Sequence, residues 1–132
     1  MKQNFIIYCV AIFFLAIGCK EESQTEIKMI STEEIQSLLE QDDIQLVDVR
    51  TLEEYQAGHI MKAQNIDILS PTFDDDIVKL DKSKPVVVYC KSGGRSAKCS
   101  KLMKAAGFVK IYDLDGGFEK WKFDELEIET ID

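Results

Sequence analysis

The chain has 132 residues, 24 acidic and 16 basic side chains, a formal charge of −8 and 45% hydrophobic residues. This length holds one domain with one modest core, and the acidic balance argues against nucleic acid or anionic lipid headgroups as partners. Of four cysteines, only Cys90 and Cys99 fall in the part that reads as globular, so a disulfide scaffold is excluded.

Residues 1–18 read as a leader. Lys2 is a short positive start, and Phe5 to Ile17 is almost uninterrupted apolar sequence, shorter than the roughly 20 residues that span a bilayer and in the range of a signal-peptide core. Leu15-Ala16-Ile17-Gly18-Cys19 resembles the bacterial lipobox, with Ala16 where leucine is usual. That resemblance implies cleavage before Cys19 and lipidation of Cys19. It also implies anchoring in the bacterial cell envelope, on the periplasmic or surface face of the outer membrane. An uncleaved anchor and an ordinary secretory signal are the alternatives. Lys20-Glu21-Glu22 resembles a lipoprotein surface-export signal. Residues 19–28 read as lipidated N-terminus and polar tether, and residues 29–132 as the domain.

Within that domain, Ser31-Thr32-Glu33-Glu34 has the form of a capping box and opens a helix to about Glu40. Ile44 to Val49 reads as a buried strand, and Leu52 to Ala57 as a short helix closed by Gly58 at C′. A short strand over 63–66 and a helix over 71–80 follow. Pro85 starts a strand to Tyr89, Arg95 to Ala106 is a helix stopped by Gly107, and 109–112 is a further strand. Gly116-Gly117 leads into a last helix through Trp121. This alternation predicts an α/β fold, a mostly parallel sheet with helices on both faces. Ligands of such sheets bind beyond the carboxyl ends of the strands.

Cys90 stands at such an end. The β-branched run Val86-Val87-Val88 ends at Tyr89-Cys90, and Lys91-Ser92-Gly93-Gly94 then leads into the helix beginning Arg95-Ser96. A thiol facing loop amides and a helix N-terminus is acidified to thiolate, and an anionic group attached to it is cradled. Residues 91–104 carry Lys91, Arg95, Lys98, Lys101 and Lys104 with no acid among them. This local basic segment either attracts a small anionic substrate or is a lysine-rich exposed helix face. Cys99, Leu102, Met103 and Ala106 share one helix face, which makes Cys99 a small core residue; a redox partnership with Cys90 is the alternative.

Three separated motifs carry a family resemblance across residues 29–123. They are Leu46-Val47-Asp48-Val49-Arg50 with Glu53-Glu54-Tyr55 and Gly58-His59-Ile60, then Tyr89 to Ser96, then Asp115-Gly116-Gly117-Phe118 with Trp121. Together they resemble the single-domain rhodaneses, thiosulfate:acceptor sulfurtransferases. The resemblance implies the rhodanese-like three-layer α/β fold and a Cys90 persulfide. It also implies a substrate cradle of Lys91, Ser92, Gly93, Gly94, Arg95 and Ser96, with Arg95 binding the donor's oxyanion or pinning the loop. Asp48 and Arg50 are expected to support the loop. A thiosulfate-like donor and a thiol or cyanide acceptor are the implied partners, with no metal, no organic cofactor, no nucleic acid and a monomeric chain.

Rival functions are weighed on the loop. Cys90 and Arg95 form Cys-x4-Arg, whereas cysteine phosphatases of related fold use Cys-x5-Arg, a wider cradle for a tetrahedral phosphate. Arsenate reduction has no distinct support. The remaining alternative is an envelope-tethered binding or thiol-redox module without turnover. His59, the only histidine, is expected in a structural hydrogen bond rather than catalysis. Asp74-Asp75-Asp76 are read as a solvated helix start.

Overall fold

A computed structural model describes Gly18 and residues 24–132; the leader and the Cys19 lipidation site lie outside the described residues. The chain runs β1 (Glu26–Ile30), α1 (Thr32–Leu39), β2 (Gln45–Asp48), α2 (Leu52–Ala57), β3 (His59–Ile60) and β4 (Gln64–Asn65). It continues through α3 (Phe73–Ile77), β5 (Val86–Tyr89), α4 (Gly94–Ala105), β6 (Lys110–Leu114), α5 (Gly117–Phe123) and β7 (Ile128–Glu129). Five strands form one sheet in the order β1-β6-β5-β2-β4, every pair parallel. β3 and β7 form a separate antiparallel pair.

The pleat sorts the core into two layers, because successive strand residues face opposite sides. Val47, Val86, Val88 and Ile111 turn to one face and pack with Phe73 and Ile77 of α3 and Cys99 and Met103 of α4. Leu46, Val87, Tyr89, Tyr112 and Leu114 turn to the other and pack with Ile35 of α1 and Phe118 and Trp121 of α5. All four residues of β5 are 0% exposed, as a central parallel strand covered on both faces requires. The expected three-layer α/β architecture is therefore present.

Helix starts follow local chemistry. Ser31 Oγ accepts from Glu34 N while a Glu34 carboxylate oxygen accepts from Ser31 N, both at 3.1 Å, which completes the capping box. Thr51 Oγ1 accepts from Glu54 N at the start of α2.

Several boundaries move. The tether expected to run to residue 28 stops earlier: 26–28 belong to β1, which pairs with β6, and Thr25 Oγ1 donates to Phe108 O at 2.6 Å. Edge-strand pairing uses backbone groups and needs no apolar pattern, so an exposed polar strand has no signature. The helix expected over 71–80 shortens to α3, because Lys79 and Leu80 donate to carbonyls only three residues back and tighten the turn. Gly58 is not a left-handed cap; its φ of 163° is extended backbone. What the position demands is closeness, since a Cβ there would lie 3.4 Å from Phe118.

Candidate active site

Cys90 follows β5 directly and is 1% exposed, at the floor of the loop that joins the strand to α4. Its Sγ accepts from Gly93 N at 3.1 Å and lies 3.5 Å from Ser96 Oγ. Burial alone would push the thiol up. The adjoining Ser96 hydroxyl and the amides of Ser96, Gly93 and Ser92 outweigh it, and the thiol is held below its ordinary value. Gly93 makes the turn with φ +129°, a conformation L side chains rarely adopt. Cys99, in contrast, is fully buried on the core face of α4, and burial pushes its thiol up to about 12.

Part of the loop is oriented from α5, which holds two of its carbonyls. Phe118 N donates to Cys90 O at 2.8 Å and Glu119 N to Lys91 O at 3.0 Å. In a planar trans peptide the N–H points opposite to the C=O, so fixing these two carbonyls directs the amides of Lys91 and Ser92 away from α5. Gly117 permits the approach: a Cβ there would lie 2.7 Å from both carbonyl oxygens, at a φ of +58°.

The other expected site residues fall in three places. Ser96 is 0% exposed beneath the loop, and its hydroxyl donates to Gly93 O at 3.2 Å. Lys91, Ser92 and Gly94 are exposed at the rim, and Lys91 pairs with Glu119 at 3.6 Å. Arg95 turns to α2, where two nitrogens meet the two Glu54 oxygens at 2.8 and 2.9 Å. The loop is thereby pinned to α2. Arg95 makes no bond to Cys90.

Asp48 and Arg50 form a buried pair: Arg50 donates to both carboxylate oxygens, the shortest contact being 2.6 Å. The same guanidinium donates to Gly58 O at 2.6 Å and stacks over Phe118 with Cζ 4.1 Å from the ring centroid. Its reach to the loop is indirect, through Phe118, whose amide holds Cys90 O. Asn65 fixes the end of β2 by donating to Asp48 O and Arg50 O. His59 stacks on Tyr55, its Nδ1 lies 2.8 Å from Tyr55 O, and its Nε2 faces Glu129 at 3.2 Å; neither nitrogen bonds Cys90.

Beside the loop opens a cavity of about 330 Å³ with Arg50, Gly58, Lys91, Phe118, Lys122 and Ile128 among its walls. A larger hollow of about 520 Å³ between α1 and α5 has no cysteine in its lining. Among the described residues no group of three or more His, Cys, Asp or Glu could hold a metal ion.

Sequence reasoning missed Glu54 as the partner of Arg95, and the α5 amides that orient the loop. Both lie inside recognisable motifs. Their roles depend on contacts 41 residues apart for Glu54 and Arg95, which no local pattern encodes.

The family model described as the rhodanese-like domain matches residues 31–124. A thiosulfate sulfurtransferase GlpE from Pseudomonas savastanoi is 39% identical over 98 residues, covering 74% of this chain and 90% of that protein. The crystal structure of a rhodanese-like domain protein from Staphylococcus aureus superposes with a TM-score of 0.66 at 35% identity, over 78% of this chain and 99% of that one. A polysulfide-sulfur transferase homodimer from Wolinella succinogenes superposes at 0.67 with 32% identity, over 82% of both chains.

Two outcomes follow from this geometry. Gly117→Ala forces a Cβ into two carbonyls and a left-handed backbone, and is expected to cost ~3 kcal/mol in urea unfolding. Alkylation by iodoacetamide followed across pH is expected to reach half its limiting rate at Cys90 below the pH of a free cysteine. Cys99 is expected to stay unmodified in the native protein, read by peptide mass.

Proposed function

The chain belongs to the rhodanese-like family, and from that premise we propose that it is a sulfurtransferase that carries a sulfane sulfur on Cys90. The observation that carries this reading is the Cys90 sulfur ringed by hydrogen-bond donors from Ser92, Gly93 and Ser96. Such a ring stabilises a charge on one sulfur atom.

The Cys90 thiolate attacks the outer sulfur of a thiosulfate-type donor. A new S–S bond forms on Cys90, the donor's S–S bond breaks, and its electron pair leaves with sulfite. The persulfide keeps one negative charge inside the amide ring. A thiol or cyanide acceptor then attacks the outer sulfur and returns Cys90 to thiolate. Lys122 at the neighbouring cavity, in no ion pair among the described residues, favours an anionic donor. Arg95 acts by pinning the loop through Glu54, because its charge is already matched there.

Cys99 is a poor resolving thiol, being buried and pushed up to about 12, which favours sulfur transfer over a two-cysteine redox cycle. The chain is read as a monomer attached to the envelope by lipid on Cys19; the support for that anchor is the Leu15–Cys19 motif behind its apolar run.

Incubation with thiosulfate should add one sulfur atom to the intact mass, reversibly by cyanide. The gain should vanish in Cys90→Ser and persist in Cys99→Ser. A folded, reduced protein that gains no sulfur would overturn the thiosulfate assignment. Growth with an alkyne-tagged fatty acid should label the chain in its bacterial host and leave Cys19→Ala unlabelled.

A further inference from the structure

Three carboxylates around the Cys90 loop are matched by cations, and the buried Asp113 is not. Asp48 is tied to Arg50, Glu54 to Arg95 and Glu119 to Lys91. Asp113 of β6 stands in register with Val88 of β5, on the face that α4 covers. It is 2% exposed, takes part in no ion pair among the described residues, and its Oδ1 has no hydrogen-bond partner. A buried, unmatched carboxylate is costly unless it gains a proton.

A source of that proton is nearby. Ser96 is fully buried in the first turn of α4, the helix that packs on β6, and its hydroxyl acts on the Asp113 carboxyl. The same oxygen lies 3.5 Å from Cys90 Sγ and currently donates to Gly93 O. Ser96 is therefore between the nucleophile and the unpaired acid, with one rotatable hydroxyl and two acceptors to choose from.

We propose that Asp113 is a positioning residue that receives the Cys90 proton through Ser96, so that thiol and carboxyl share one proton. The Cys90 S–H proton passes to Ser96 Oγ, while the Ser96 O–H turns from Gly93 O to Asp113 and gives up its own proton. The products are a thiolate, a neutral carboxylic acid and an unchanged serine, with no change in net charge. When the thiolate takes a sulfur from the donor and sulfite leaves, the persulfide carries the single negative charge and Asp113 keeps the proton. The buried site then holds one anion at each stage instead of two.

The surrounding groups act in the required direction. Burial raises the proton affinity of Asp113, and the Asp115 carboxylate adds to it against a smaller opposing bond from Ser96. The Cys99 thiol faces Asp113 from α4 and stays neutral, since burial pushes it up to about 12. Val88 is the neighbour on β5 and does not titrate. The inference rests on Cys90 as the nucleophile of the proposed reaction, and it is tested without any sulfur donor.

The experiment is a carbon-13 NMR titration of the Asp113 carboxyl in the full chain, assigned through its backbone connectivities. Wild type is compared with Cys90→Ser and with wild type whose Cys90 is blocked by iodoacetamide. The expected result is an Asp113 titration displaced or split in wild type, with the upper step coinciding with thiolate formation read at the Cys90 Cβ. Both proteins lacking the thiol should show one step at lower pH. Superimposable Asp113 curves in wild type and blocked protein would overturn the proposal, whether the carboxyl titrates normally or stays protonated throughout. Blocking the existing chain keeps the test valid even if Cys90→Ser folds poorly. Coupled titration in a protein that takes no sulfur from thiosulfate would instead count against the proposed reaction alone.

Discussion

Two hydrogen bonds govern the site: Phe118 N to Cys90 O and Glu119 N to Lys91 O. They come from the first turn of α5, where backbone amides have no helical partner and need an acceptor. The loop carbonyls supply it, and the amides of Lys91 and Ser92 are thereby turned away from α5. Each end satisfies the other. A single methyl group at Gly117 would break both, because it would occupy the space of the two carbonyl oxygens. The closing motif thus orients part of the loop around Cys90 from a distant stretch of the chain.

The rest of the fold serves that contact by fixing where β5 ends. β5 is buried on both faces and paired on both edges, so its register is set by β2 and β6 together. The Asp48–Arg50 pair extends the same order sideways, reaching Gly58 O and the Phe118 ring from the end of β2. A buried ion pair contributes little net stability when hydrophobic residues could replace it. Here the guanidinium donates to Asp48 and Gly58 O and stacks on Phe118, which fixes the relative placement of three segments. Glu54 and Arg95 do the same at the half-exposed rim.

The parts legible in the sequence were those governed by local rules. The capping box at Ser31, the β-branched run of β5 and the Cys90 loop are each written within a few residues, and the two-faced sheet follows from strand–helix alternation. What was not legible is non-local. β1 is a strand because β6 offers it a partner, while its own residues Glu26 to Met29 are exposed and polar or isolated apolar. Residues 128–129 join β3 for the same reason. Arg95 was open to two roles, oxyanion binding or pinning, until Glu54 was seen opposite it. Asp113 lies beyond the strand expected over 109–112, and only its burial without a cation sets it apart.

The low exposure of Cys90 completes the argument about chemistry. A thiol exposed by only 1% cannot be solvated as an anion by water, so the protein must supply every interaction that makes it a nucleophile. In the proposed reaction, fixed amides supply it without reorganising when charge moves outward by one bond length to the terminal sulfur. Arg95, which would have to meet a tetrahedral oxyanion, is already matched by Glu54. The geometry therefore favours transfer of a single polarisable atom over transfer of a phosphoryl group.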